Sequence, residues 1–439
     1  MCIRDRLGKE GHDITIVDKN RERISQVSNI YDVMGIAGNG ASYKILQEAS
    51  IDDADLIIAV TGSDELNLLC CTIATQVGNC AAIARVRTPE YSQEAKYLRD
   101  KLGLALIINP ELEAAIEMAH ILHLPSSLEV TNFAHGQAQL IKYEIPEGSI
   151  LDGTKLMDLG TRHHANILIG AVERDDEVTI PSGDFVLRKG DKLSFVGERR
   201  HTKEFFSHIG VNTHSVKNTL IIGGGKAAYY LAKQLISRGI KVKIIENSFE
   251  RCEELSILLP DAVIINGDGT EQALLKEEGI ETCQSFVPLT GIDEENIMLT
   301  LYAKQVSNAK VITKLNRITF TNVINSLDLG SVISPKYITS EAIIAYVRAK
   351  KNSMNCNIET LYHMYDSRVE AIEFFVSENS NVTDIPLRDL KLKKHLLICF
   401  INRNGKIIIP TGNDSIQKND TVMIITTHTG FTNLQDIME

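Results

Sequence analysis

Apolar residues come in short runs, and stretches with helical spacing separate them. "DITIVD" is a short β-rich run ending at Asp18, and "RERISQVSNIY" places its apolar residues on a helical period. "DLIIAVT" reads as a buried strand, "DELNLLCCTIATQVG" as a helix starting at Asp64, and "AAIARVR" as another strand. "LALIIN" follows, then a helix through "PELEAAIEMAHIL". Its Pro110 falls in the first turn, where a backbone N–H has no intrahelical partner to lose. Strands alternating with helices predict a parallel sheet covered by helices. Downstream the pattern changes. "GQAQLIKYEIPEGSILDGTKLMDL" carries extended runs and a short helix, and "ANILIGAVERDDEVTIPSGDFVLRKGDKLSFVGE" reads as three strands joined by polar turns. This second module is a small α+β unit.

Both modules occur twice. "VTGSDELN" (Val60–Asn67) is matched by "LTGIDEEN" (Leu289–Asn296), 229 positions later. "AGNGA" and "NGDGT", "IARV" and "ITKL", and "IPSGDFVLRKGDKLSFV" and "IPTGNDSIQKNDTVMII" keep the same spacing. Four blocks at one offset identify a tandem duplication. The second α/β module runs from "TLIIGGG" through "GSVISP", and "RNGK" (Arg403–Lys406) marks a hairpin in the second α+β module. The expected units are residues 1–125, 126–212, 216–345 and 354–439. The fold class is α/β: two tandem Rossmann-like parallel-sheet domains, each followed by a small α+β lobe.

Composition narrows the function classes. The chain has 439 residues, 44% of them hydrophobic and 23% charged, the profile of a globular protein. Trp is absent, so aliphatic side chains dominate the core. A net charge of -11 argues against general nucleic-acid binding and against a basic membrane-adsorbing surface. No apolar run approaches the roughly 18–20 residues that span a bilayer, so no direct membrane insertion is expected. "MCIRDRLGKEGHD" has no apolar core of a secretory signal. The eight Cys form no C-x-x-C pair and read as free thiols of a reducing cytoplasm.

Candidate chemistry begins at Gly223, Gly225 and Ala228, a G-x-G-x-x-A pattern after a strand and opening a helix. The first glycine permits a tight turn, the second lets backbone N–H groups approach a pyrophosphate, and the alanine allows close helix–strand packing. Glu246 ends the next strand, where an acid accepts hydrogen bonds from ribose hydroxyls. In the first half Asp18 ends the matching strand, but the preceding strand and glycine loop are missing. Aligning "KEGHDITIVDKN" with "SRGIKVKIIENS" places Met1 inside the helix that follows the loop. The expectation is a truncated first unit, or foreign residues "MCIRDR" joined to it, with a sheet lacking a central strand. Glu117, His120 and His123 sweep too wide an arc for one metal site and read as a partly exposed crossover helix. His163 and His164 read as surface residues, and "ERDDE" (Glu173–Glu177) as a solvated hairpin tip.

Together, the glycine loop with its distal acid, "GNGA" and "GDGT", the repeated T-G-x-D-E-x-N, and the I-P-x-G…K-x-D pattern resemble the TrkA family. These are cytoplasmic NAD-binding subunits of Trk-type potassium uptake systems, built from paired RCK domains (regulators of potassium conductance). The resemblance covers the chain after residue 6. It implies nucleotide contacts from Asp18, Asn39, Thr61 and Arg85 in the first half. In the second it implies contacts from Gly223, Gly225, Glu246, Asp268, Thr290 and Lys314. Arg85 and Lys314 would reach phosphate oxygens. The implied cofactor is NAD or NADH, with ATP or ADP as alternatives. The implied partner is a membrane potassium-translocating Trk subunit, met at the inner face of the membrane by a dimer or tetramer ring of this chain. The implied role is regulatory, with no catalytic and no metal-binding residues.

Two other readings stay open. One is an RCK-type regulator of a different ion transporter. The other is an NAD-dependent oxidoreductase, against which stand the lack of a hydride-transfer acid or base and of a substrate domain. No G-x-S-x-G, H-E-x-x-H or G-x-x-x-x-G-K-[ST] occurs.

Overall fold

The computed structural model describes residues 3–31, 33–124, 126–162, 166–211, 214–317, 323–324, 327–351, 358–365, 367–377 and 380–439. His163 and His164 lie outside them.

The second α/β unit is the more regular. It comprises β11 (Asn218–Ile222), α10 (Lys226–Ile236), β12 (Lys241–Glu246), α11 (Phe249–Leu258), β13 (Val263–Asn266), α12 (Gln272–Glu277), β14 (Ser285–Pro288), α13 (Asp293–Val306), β15 (Lys310–Lys314) and β16 (Ser331–Ile333). The strands form one parallel sheet in the order β13-β12-β11-β14-β15-β16. Helices cover it, so its strands read as continuous apolar runs rather than alternating ones. Ile221, Ile244 and Val287 are fully buried. Helix α14 (Pro335–Lys351) leads out of the sheet.

The first unit repeats this order as α1 (Ile3–Lys9), β1 (Thr15–Asp18), α2 (Arg21–Ile30), β2 (Met34–Ala37), α3 (Tyr43–Glu48), β3 (Leu56–Ala59), α4 (Asp64–Val77), β4 (Ala81–Arg85), α5 (Pro89–Gln93), α6 (Ala95–Leu102), β5 (Leu106–Ile108) and α7 (Pro110–His123). Its sheet is split. β1 pairs with β2, and β3-β4-β5 form a separate three-stranded sheet. Among the described residues no strand occupies the place that β11 fills in the second unit. The consequence is visible in burial: all of β14 is buried, whereas in β3 only Ala59 is.

The α+β lobes are antiparallel. The first contains β6 (Glu129–Phe133), β7 (Ala138–Glu144), α8 (Leu156–Arg162), β8 (Leu168–Arg174), β9 (Glu177–Thr179), β10 (Lys192–Glu198) and α9 (Arg199–His208), with strand order β6-β7-β10-β8-β9. The second contains β17 (Ile358–Met364), β18 (Val369–Phe375), β19 (Leu396–Arg403), β20 (Lys406–Ile408) and β21 (Thr421–Thr426), in the equivalent order β17-β18-β21-β19-β20. Asn404 and Gly405 carry the positive φ that the "RNGK" turn requires. The two lobes share one core, in which Phe133, Leu140 and Val196 meet Met364, Phe400 and Ile425. The sheets approach so closely that a Cβ on Gly170 would stand 2.3 Å from Ile425 Cδ1.

In each lobe an arginine–aspartate fork ties the ends of the sheet. Asp191 accepts from Arg174 Nε and Nη2 at 2.7 Å each, and Asp420 from Arg403 at 2.9 and 2.8 Å. These aspartates are the D of K-x-D.

Two expectations gain detail. α7 is the partly exposed crossover helix expected, with Glu117, His120 and His123 half-buried on its outer face, but its other face is part of the core. Ala114, Ala115, Met118, Ala119, Ile121 and Leu122 are fully buried, because the helix crosses to the second unit and packs on α10 through Ala228, Leu231 and Leu235. The "ERDDE" tip is solvated at Asp175, Asp176 and Glu177, as expected. Arg368 of the second lobe reaches over it to Glu173 at 2.7 Å and to the Asp176 carbonyl.

Candidate functional site

The C-terminal ends of β11, β12, β14 and β15 converge on one edge of the second sheet, the edge where parallel α/β sheets hold ligands. Gly223 leaves β11 with φ 93°, in the left-handed region that favours glycine. A Cβ there would lie 3.2 Å from the backbone of Leu289 and Thr290. Gly225 is the N-cap of α10, and no atom stands within 4 Å of where its Cβ would be. That space beside the positive end of an eleven-residue helix suits an anion. Ala228 is fully buried against α7.

Glu246, at the end of β12, accepts from the Gly224 N–H at 2.6 Å and from the Ser248 N–H at 2.8 Å. Its carboxylate is therefore aimed at the glycine loop and held there. Arg251, on α11, donates from Nε to the Gly224 carbonyl at 2.7 Å and brings a cation to the same loop. Sequence reasoning missed Arg251. Its only signal was a basic residue in the helix after the distal acid. Asp268 accepts from the Thr270 N–H at 2.8 Å and hydroxyl at 2.7 Å, and these bonds hold its carboxyl below the usual range. The loop passes tightly over β11: a Cβ on Gly269 would meet Ile222 Cγ2 at 2.3 Å.

Thr290 and Lys314 belong to a brace. The buried Asn296 accepts from the Thr290 N–H and hydroxyl, each at 3.0 Å, and donates to the Lys314 carbonyl at 3.0 Å. Lys314 Nζ turns back to the Leu289 carbonyl at 3.2 Å, and burial lowers its pKa. Asp293 caps the following turn by accepting from the Asn316 and Arg317 N–H groups, each at 2.8 Å. The T-G-x-D-E-x-N motif thus ties two strand ends together. Asn296 and Asp293 went unassigned in the sequence because a brace and a ligand set use the same polar residue types.

The first half builds the same brace. Asn67 accepts from the Thr61 N–H at 2.7 Å and donates to the Arg85 carbonyl at 2.9 Å, while Arg85 Nη2 donates to the Thr61 carbonyl at 2.6 Å. Asp64 accepts from the Arg87 and Thr88 N–H groups and the Thr88 hydroxyl at 2.7–2.9 Å. Burial works against its charge, yet these bonds hold its pKa down. Asn39 accepts from the Ala41 N–H at 3.2 Å in a turn like that of Asp268. Asp18 ends β1, where its carboxylate accepts from the Asn20 N–H at 2.9 Å and lies 3.6 Å from Arg23. No glycine loop stands beside it among the described residues.

The two halves touch at this edge. Lys226, the first residue of α10, donates to the Thr88 hydroxyl at 3.0 Å, and Tyr230 donates to the Arg87 carbonyl at 2.8 Å. Asp64 Oδ1, Arg85 Nε, Arg87 Nε and Glu111 Oε2 are buried there without hydrogen-bond partners. Such groups are ordinarily satisfied by water or a ligand.

His120 and His123 point into a small cavity with Arg199 and Lys203. Burial first, then the neighbouring cations, push both histidines down to about 4. Those cations also disfavour a metal ion. Among the described residues no group of three or more His, Cys, Asp and Glu is arranged to hold a metal ion. No described helix is long and apolar enough to cross a membrane.

Two parallel-sheet units, each followed by an antiparallel lobe and joined by crossover helices, define the tandem RCK architecture. Solved structures with this fold include the GsuK channel (TM-score 0.66, 17% identity, 97% of this chain and 74% of that one). The GsuK RCK domain gives a TM-score of 0.65 at 17% identity, over 96% of this chain and 89% of that one. Models of the TrkA-N domain match residues 3–110 and 219–335, and models of the TrkA-C domain match 140–210 and 371–438. The Trk system potassium uptake protein TrkA homolog 1 of Methanosarcina mazei is 33% identical over 421 residues, 94% of this chain and 92% of its own length. The TrkA homolog of Archaeoglobus fulgidus is 31% identical over 94% of this chain and 92% of its own, and TrkA of Haemophilus influenzae 29% over 96% and 92%. The chain belongs to the TrkA family.

Proposed function

We propose that this chain is a nucleotide-binding, non-enzymatic regulatory subunit of a Trk-type potassium uptake system. It acts at the cytoplasmic face of the membrane through a potassium-translocating partner, as a homo-oligomeric ring. The observation that carries the reading is the Gly223–Gly225 loop held against Glu246 at the C-terminal edge of a continuous parallel sheet. The ligand is NAD or NADH, with ATP or ADP as alternatives. A GsuK structure was solved with NAD and another with ADP. In this site the Gly225 N-cap receives the phosphates and Glu246 accepts from the ribose hydroxyls. Asp268, Thr290 and Lys314 border the same crevice. Lys226 links the loop to Thr88 of the first half, so occupancy of one half is felt by the other. A nucleotide that favours one arrangement of the halves shifts the population toward it. Asp18, Asn39, Thr61 and Arg85 are the corresponding residues of the first half.

Calorimetry with NAD, NADH, ATP and ADP tests this. One site per chain is expected, weakened ten- to hundredfold in Glu246→Ala, the scale of a hydrogen bond to a charged group, and unchanged in Asp18→Ala. No binding of any of the four would sink the reading.

A further inference from the structure

We propose that His363 is a proton-operated latch: charged, it clasps α14 to the second antiparallel lobe and to the first half of the chain, and it releases them as the imidazole loses its proton. The proposal does not depend on nucleotide binding.

His363 is the penultimate residue of β17 and is buried. Its Nδ1 faces Glu341 Oε2, and its Nε2 lies 3.1 Å from Glu370 Oε1. A neutral imidazole carries one N–H and donates to one acceptor. Between two carboxylates only the imidazolium satisfies both sides. The chain of charges continues outward. Arg348, on α14, donates to both oxygens of Glu370 at 3.1 Å and to Glu10 at 2.6 Å. Arg6 pairs with Glu341 and donates to Ser340 Oγ at 3.2 Å. The groups facing His363 are thus Arg6 and Glu10 at α1, Tyr337, Glu341 and Arg348 on α14, and Glu370 on β18. Tyr337 donates its hydroxyl to the His363 carbonyl at 3.2 Å. Glu341, Arg348 and Glu370 are each at most 5% exposed. With His363 charged, positive and negative groups alternate along the whole chain. With it neutral, Arg6 still pairs with Glu341 and Arg348 with Glu370, but one of the two carboxylates loses its imidazole donor and the buried cluster keeps one unmatched negative charge, an unfavourable state in a low-dielectric interior.

His363, Glu341, Tyr337 and Tyr362 border a cavity of about 1040 Å³, whose lining also includes Glu117 and Glu129.

Burial alone would keep His363 neutral, but the bonds to Glu341 and Glu370 outweigh it and raise its pKa above the ordinary 6.5. Glu370 is buried too, yet His363 and Arg348 hold its pKa down. A raised folded pKa gives stabilisation that is complete below pH 6.5 and lost as pH climbs through the folded value. Across that window the opening constant of the clasp rises about tenfold per pH unit.

The first half supplies an internal control. β6 and β7 place Asn132 opposite Gln139, in the register that places His363 opposite Glu370. Gln139 donates to Asn132 Oδ1 at 3.1 Å. This pair carries no proton to lose.

The test is hydrogen–deuterium exchange of the full chain from pH 6 to 9, corrected for intrinsic rates. Peptides from α14 and β17 should lose protection up to about tenfold per unit above pH 6.5, while β6–β7 peptides stay level. In His363→Gln the α14 and β17 slope should vanish. A wild-type slope of zero, or a slope that survives in His363→Gln, overturns the proposal. Should that variant misfold, NMR of the wild type labelled at the histidine ring decides. A buried imidazole with its midpoint above 6.5, lowered in Glu370→Gln, supports the latch. A midpoint at or below 6.5 overturns it.

Discussion

In the second parallel-sheet unit β11 is hydrogen-bonded on both sides, to β12 and β14. In the first, β1 and β3 face the corresponding gap and do not pair with each other. The surroundings are otherwise alike. Asn67 and Asn296 make the same strand-end brace, Asp64 and Asp293 cap the same turn, and Asn39 and Asp268 make the same loop turn. The comparison separates two roles that one sheet usually combines. The brace residues hold neighbouring strand ends and need only β3 and β4. The ligand loop needs the central strand itself, because Gly223 and Gly225 are the continuation of β11. A central parallel strand is buried on both faces, so its apolar side chains also complete the core. Without such a strand, Leu56, Ile57 and Ile58 remain partly exposed where their counterparts are buried.

The strongest way to break the comparison is to damage the central strand's exit in the unit that has it. Gly223→Val places a β-branched residue at positive φ and 3.2 Å from backbone. It should cost about 3–5 kcal/mol and abolish nucleotide binding. Chemical denaturation followed by calorimetry reads both, and wild-type binding in this variant would show that the loop is not the site. Next come the forks of the antiparallel lobes, where the halves should behave alike. Asp191→Ala and Asp420→Ala each strip a buried carboxylate from a partly exposed arginine. Each should cost about 2–3 kcal/mol, and a large difference between them would mean that the lobes are not equivalent. The smallest and most discriminating pair is Asn67→Ala and Asn296→Ala, about 1–3 kcal/mol each. Asn67→Ala should expose amides of β3 and β4 at lower denaturant than Asn296→Ala exposes β14 and β15, because the split sheet has less to fall back on. Equal protection by hydrogen exchange would contradict that.

Much of this was legible in the chain. Alternating strands and helices marked the parallel sheets, "RNGK" marked a hairpin whose Asn404 and Gly405 adopt positive φ, and α4 begins at Asp64. The glycine loop and Glu246 could be read together because local backbone geometry dictates both. The burial of α7 could not. It depends on α10, which follows it by about a hundred residues. His363 was equally hidden. Loop lengths differ between the halves, so the spacing is 225 at Pro110 and Pro335 but 231 at Asn132 and His363. At the common offset of 229, His363 falls on Ala134, and only strand register shows its true counterpart.

The sequence by itself determined the duplication, the alternation of modules, the family and the place of the glycine loop after β11. These follow from residues close together in the chain, whose spacing sets backbone conformation. Tertiary structure decided which polar residues brace and which face open space, which helix crosses to the other half, and where a histidine lies between two acids. Those facts depend on partners distant in sequence, which meet only when burial of apolar surface draws the halves together.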